Sequence, residues 1–141
     1  MRSSDVRTKI IAAIEGSAVD AQASSVDVFT NVDIGTREIR SARDRLFTVS
    51  LATIPVREGS LFPTDLFVAV FEVTVMYSDS PGVEDRIGQD FERISRALDV
   101  LPQNNSDICK INLMGGPVQE IEGLVTATVS ADVSYKLDST V

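Results

Sequence analysis

Between Val83 and Leu101 the apolar residues fall at Val83, Ile87, Phe91, Ile94, Leu98 and Leu101. Steps of three and four lay a single stripe along a helix. Ser80 is placed as its N-cap and Pro81 as its first residue, where a missing N–H costs nothing. Pro102 marks its predicted end. The opposite side reads as solvated charge, with Arg86/Asp90 and Glu92/Arg96 spaced as i,i+4 pairs. A shorter helix is predicted from about Ser4 to Glu15, where Val6, Ile10, Ile11, Ala13 and Ile14 share a face. Ser3 or Ser4 would cap it, Asp5 suits its positive end, and Gly16 would stop it in a left-handed conformation.

Elsewhere the period is two. Val125, Ala127, Val129, Ala131, Val133, Tyr135 and Leu137 alternate with small hydroxyl and charged residues, as a half-buried strand requires. Asp65 to Tyr77 alternates too, with Phe67, Ala69, Phe71, Val73, Val75 and Tyr77 on one face. The first half of its other face is also apolar, at Leu66, Val68 and Val70. Such a strand is central in its sheet, with both faces covered, or meets another subunit. Shorter strands are predicted at Ser25–Asp33, Arg45–Ile54 and Ile108–Met114. Pro55 to Pro63 reads as a loop, and Gly115-Gly116-Pro117 as the turn between the last two strands.

The order is α, β, β, β, α, β, β, and most connections are too short for helical crossovers. This predicts one α+β domain over residues 1–141. A mostly antiparallel sheet would carry one long and one short helix on one face.

Composition changes the picture mainly by exclusion. The chain has 141 residues, no His, no Trp and a single Cys, Cys109. It therefore builds no Ser-His-Asp triad, no His-ligated zinc site and no internal disulfide. Cys109 sits among Ile108, Ile111 and Leu113 and reads as a buried, inert thiol. The acidic helix face lacks the loop pattern of a calcium site. No catalytic residue, cofactor or metal is expected, and the chain is not read as an enzyme. Met1–Ile14 holds no continuous apolar run, so no signal peptide is expected, and no stretch has the length of a membrane span. With 13 Lys+Arg against 21 Asp+Glu, the formal charge is −8, which opposes broad nucleic-acid binding.

Two clusters remain as candidate contact residues. Arg37, Arg40, Arg43 and Arg45 form the densest basic stretch. They read either as a solvated loop edge or as bidentate partners for carboxylates on a neighbouring subunit, with nucleic acid as a third reading. Leu61 and Phe62 lie in the Pro-flanked loop, either exposed to a partner or folded back on the sheet.

The layout of "RLFTVSLATIP", "DLFVAVFEVTVMYS", "SPGVEDRIGQDFERISRALDVL", "ICKINLM", "GGPVQEIE" and "GLVTATVSADVSYKL" resembles the tail terminator (tail completion) proteins of long-tailed bacteriophages. The likeness spans about Ser4 to Leu137 and rests on element order and length. It implies a homo-oligomer, a hexameric ring seated on the tail tube protein. The ring would end tube polymerisation and dock the head-completion or neck protein, with DNA passing through its lumen. The expected location is the virion, at the tail–neck junction, after synthesis in the host cytoplasm. The alternatives are another phage neck or head-closure protein, or a small dimeric α+β ligand-binding domain.

Overall fold

The computed structural model describes residues 1–17, 29–32, 45–58 and 66–137. In chain order these form α1 (Ser3–Glu15), β1 (Thr30–Asn31), β2 (Leu46–Leu51), β3 (Val56–Arg57) and β4 (Leu66–Ser78). Then come α2 (Val83–Asp99), the short α3 (Leu101–Asn104), β5 (Ile108–Ile121) and β6 (Leu124–Lys136). The strands make one sheet in the order β1-β2-β4-β6-β5, and β3 pairs with β4 in line with β2. Every pairing is antiparallel except β1 with β2. The fold is α+β, as the periodicities predict.

Register explains where the core sits. Phe47 and Val49 of β2 lie opposite Val75 and Val73 of β4, which in turn lie opposite Ala127 and Val129 of β6. All of these are buried, as are Val6, Ile10 and Ile14 of α1 and Ile87, Ile94 and Leu98 of α2. Both main helices thus cover one face of the sheet. Each fully buried aliphatic side chain contributes about 1.5–3 kcal/mol. The other face carries Thr48, Thr74, Thr128 and Ser130, and the Thr74 and Thr128 hydroxyls are hydrogen-bonded at 3.0 Å. β4 is central, between β2/β3 and β6. Its second face is only partly covered at Leu66, Val68 and Val70.

Several local expectations need correction. Ser3 and Ser4 lie inside α1; Arg2 is the N-cap, and its backbone N–H donates to the Asp5 carboxylate at 2.8 Å. Gly16 ends the helix in the right-handed region, at φ −78°. α2 begins at Val83, with Gly82 as N-cap, and the Ser80 hydroxyl accepts a hydrogen bond from Arg86 Nη2 instead of capping. α2 ends at Asp99, and Pro102 is the second residue of α3, since proline is tolerated in a first turn. Within the predicted Pro55–Pro63 loop, Val56 and Arg57 pair with Val68 and Phe67. Of the predicted strand at Ser25–Asp33, Thr30 and Asn31 form β1, while residues 25–28 and 33 lie outside the described residues.

The largest correction concerns the last two strands. β5 runs straight through Gly115-Gly116-Pro117, and the turn is Glu122-Gly123. Both turn residues have positive φ, 51° and 82°, the two-residue geometry that matches strand twist. Gly115–Val118 is instead a bulge, spanning one residue more than Val129–Ala127 opposite. Gly116 is required there, because a Cβ would stand 2.8 Å from the Thr128 carbonyl oxygen. Pro117 is tolerated because β5 is an edge strand. A second irregularity, between Ile108 and Lys110, falls at Cys109, which is exposed and not buried as expected.

Candidate functional site

At the carboxyl end of β2 the chain leaves the sheet and returns within four residues. Ala52 N–H donates to the Val70 carbonyl at 2.7 Å, and Val70 N–H donates to Thr53 Oγ1 at 3.1 Å. β3 then rejoins β4 at Val56–Val68. The excursion is tied down on both sides, so Ile54 and Pro55 form a fixed knob. Ile54 is 80% exposed, and Leu51 and Val56 beside it are exposed as well. Nearby, the Val49 carbonyl accepts a hydrogen bond from Arg7 Nε at 2.7 Å.

The opposite edge of the sheet is β5. Between α2 and the β5–β6 hairpin lies an apolar groove of about 330 Å³. Ile87 and Phe91 form its helix side, Leu113 and Val118 its strand side, and Ala127 and Val129 contribute from β6. The bulge at Gly115–Val118 shapes the strand wall, and at Gly115 an added Cβ would meet only open space. Val118 is 58% exposed, and Met114 and Ile121 of β5 are exposed on the opposite face of the sheet.

A buried polar cluster ties the helix layer to the sheet. Asp90 on α2 is fully buried. Arg45 Nε and Nη2 donate to its two oxygens at 2.8 and 3.1 Å, and Tyr77 Oη donates to Oδ2 at 2.9 Å. Arg93 Nη1 lies 3.5 Å from Oδ1. Arg45 has φ +66° and stacks 6.0 Å from the centroid of the Phe29 ring. Burial first, then the Asp90 charge and hydrogen bond, push the Tyr77 pKa far above its usual value of 10.0.

Arg45 is therefore buried and engaged within its own chain. Arg37, Arg40, Arg43, Leu61 and Phe62 lie outside the described residues. Asp90 does not belong to the solvated helix face on which the Arg86/Asp90 pairing placed it. The signal was present: Asp90 is three residues after Ile87 and four before Ile94, in the buried stripe. Ile54 is predicted as the last residue of the strand Arg45–Ile54, which ends at Leu51 instead, and Val56 as part of the Pro55–Pro63 loop. Among the described residues no group of three His, Cys, Asp or Glu is placed to hold a metal ion. No helix among them is long and apolar enough to cross a membrane.

No protein-family model matches the chain, and no curated protein does. Among the described residues, exposed apolar side chains stand at both edges of one sheet.

Proposed function

We propose that this protein is a structural subunit of a phage tail end, similar to the tail terminators. It assembles with copies of itself into a ring on the tail tube, ends tube growth and presents a docking surface to the head-completion or neck protein. The carrying observation is that both edges of the sheet carry exposed apolar side chains, Leu51, Ile54 and Val56 at one and Met114, Val118 and Ile121 at the other, distributed over both faces. A two-fold dimer joined through one edge leaves the other bare. Head-to-tail contact uses both and closes into a ring when the rotation permits. The sheet and helix order supports the same reading. The hexameric number and passage of DNA come from the family likeness. Arg37, Arg40 and Arg43 are assigned to contacts with carboxylates of the neighbour, and Leu61 and Phe62 to the tube or neck.

Light scattering and negative-stain microscopy of the purified protein, alone and with polymerising tail tube protein, test the reading. Rings with a central hole, and tubes that stop growing when the protein is added, are expected. Compact dimers with no effect on tube length would overturn it in favour of a small dimeric domain.

A further inference from the structure

We propose that the buried Arg45–Asp90–Tyr77 cluster is a registration lock, which selects one seating of α2 on the sheet from several that its apolar stripe would accept. The stripe itself is repetitive. Val83, Ile87, Phe91, Ile94 and Leu98 recur every four, four, three and four residues. A shift of α2 by one turn, about 5.4 Å along its axis, therefore brings one apolar side chain to the place another has left. The sheet face beneath the helices is uniform too, built largely of buried valine and alanine at Val73, Val75, Ala127, Val129, Ala131 and Val133. Apolar burial has no direction, so packing alone separates these seatings weakly.

The polar cluster does not repeat. Both of its donors are anchored on the sheet. The Arg45 N–H donates to the Met76 carbonyl at 2.8 Å, and the Arg45 carbonyl accepts from the Thr30 N–H at 3.0 Å, which ties this residue to β4 and β1. Tyr77 belongs to β4 and is fully buried. The acceptor, Asp90, belongs to α2, and its two oxygens take three hydrogen bonds of 2.8, 3.1 and 2.9 Å from Arg45 and Tyr77. One turn of shift breaks all three, because such bonds fail beyond about 3.2 Å. It would also leave Arg45 buried without its carboxylate. Four residues either side of Asp90 stand Arg86 and Ile94, and neither can replace it. Arg93 lies 3.5 Å from the same carboxylate, but it rides on α2 and moves with Asp90, so it fixes no register. Selection of register by a buried polar group among interchangeable apolar ones is its best-attested use in helix packing.

The choice reaches the surface. Ile87 and Phe91 of α2 form the helix side of the groove against the β5–β6 hairpin, so a shift of one turn would rebuild that groove.

Replacing the whole cluster separates register from stability. Arg45→Met, Tyr77→Phe and Asp90→Leu are combined, so that all three members leave together. Methionine is unbranched like arginine, so the strain at the positive φ of position 45 is carried equally by both. Asp90→Asn, nearly the same shape without the charge, is made alone as a milder second variant. Urea unfolding and backbone amide NMR spectra of both are compared with the parent. The triple variant is expected to unfold cooperatively at a urea midpoint no lower than the parent's, since apolar replacement of a buried ion pair is commonly neutral or stabilising. Its amides in Val83–Asp99 should be doubled or broadened by exchange between seatings, and those of the parent single and sharp. Asp90→Asn should show the same broadening to a smaller degree. One sharp set of amides in both variants would overturn the proposal, because α2 would then seat uniquely without the lock. A triple variant with a lowered midpoint, or with no cooperative transition, would also overturn it, because the cluster would then hold the fold together instead of choosing its register.

Discussion

At the scale of single residues, Asp90 carries the greatest risk to the fold. It is a fully buried carboxylate whose charge is met by Arg45 in two hydrogen bonds and by the Tyr77 hydroxyl. Removing one member of such a cluster strands the other charge in the interior. Asp90→Ala should cost about 3–5 kcal/mol in urea unfolding. Tyr77→Phe, which keeps the ring and loses the donor, should cost about 1.5–3 kcal/mol. The pH dependence has a fixed sign. The folded state holds the Tyr77 proton well above pH 10, whereas the unfolded chain releases it near 10. Above that pH the folded state binds more protons, so stability falls as pH rises. The Tyr77→Phe variant should lose less stability than the parent between about pH 10 and 12. Equal slopes for the two proteins would show that this tyrosine does not carry the effect. Tyr135, whose pKa burial also raises, remains in both proteins and cancels in the comparison.

At the scale of elements, the β5–β6 hairpin separates what local sequence specifies from what tertiary context decides. Glu122 sits at φ +51° in the turn with Gly123. A non-glycine residue in that region is strained, and asparagine tolerates it better than glutamate. Glu122→Asn should therefore raise stability by about 0.5–1 kcal/mol in thermal or urea unfolding. Gly116→Ala should lower it by about 1–3 kcal/mol, since the new methyl meets the Thr128 backbone. If the turn lay at Gly115–Pro117, these two effects would not follow. β4, β6 and α2 were legible because an unbroken period of two, or of three and four, runs through them. The turn was not, because Gly-Gly-Pro is a stronger local signal than Glu-Gly. Only pairing along β6 reveals that the first is a bulge. Asp90 was missed for a related reason. A carboxylate in a helix reads as surface until Arg45, 45 residues away in sequence, is brought against it. The knob at Ile54 was hidden because a two-residue strand such as β3 has no period to detect.

At the scale of the whole molecule, the proposed ring would give the formal charge of −8 a use. A ring whose lumen passes DNA must avoid holding it. Duplex binding without sequence preference requires clustered lysine or arginine to neutralise phosphates and release their counterions. Among the described basic residues, Arg45 is sunk against Asp90, Arg93 leans on the same carboxylate, and Arg86 and Arg7 are engaged with Ser80 and the Val49 carbonyl. The sheet face away from the helices presents threonine and serine hydroxyls together with Glu72 and Asp132, and Lys136 at its end, beside the apolar Leu66, Val68 and Val70. Six copies would multiply the net negative charge sixfold and raise a potential that repels a polyanion. The expected behaviour is that neither the subunit nor the assembled ring retards duplex DNA in a gel at low salt, where nonspecific binding is strongest. Retardation that fades as salt rises, and is lost when Arg37, Arg40 and Arg43 are replaced by glutamine, would mean that these arginines reach phosphate. Their assignment to the neighbouring subunit would then be lost, and the basic stretch would become a DNA contact instead.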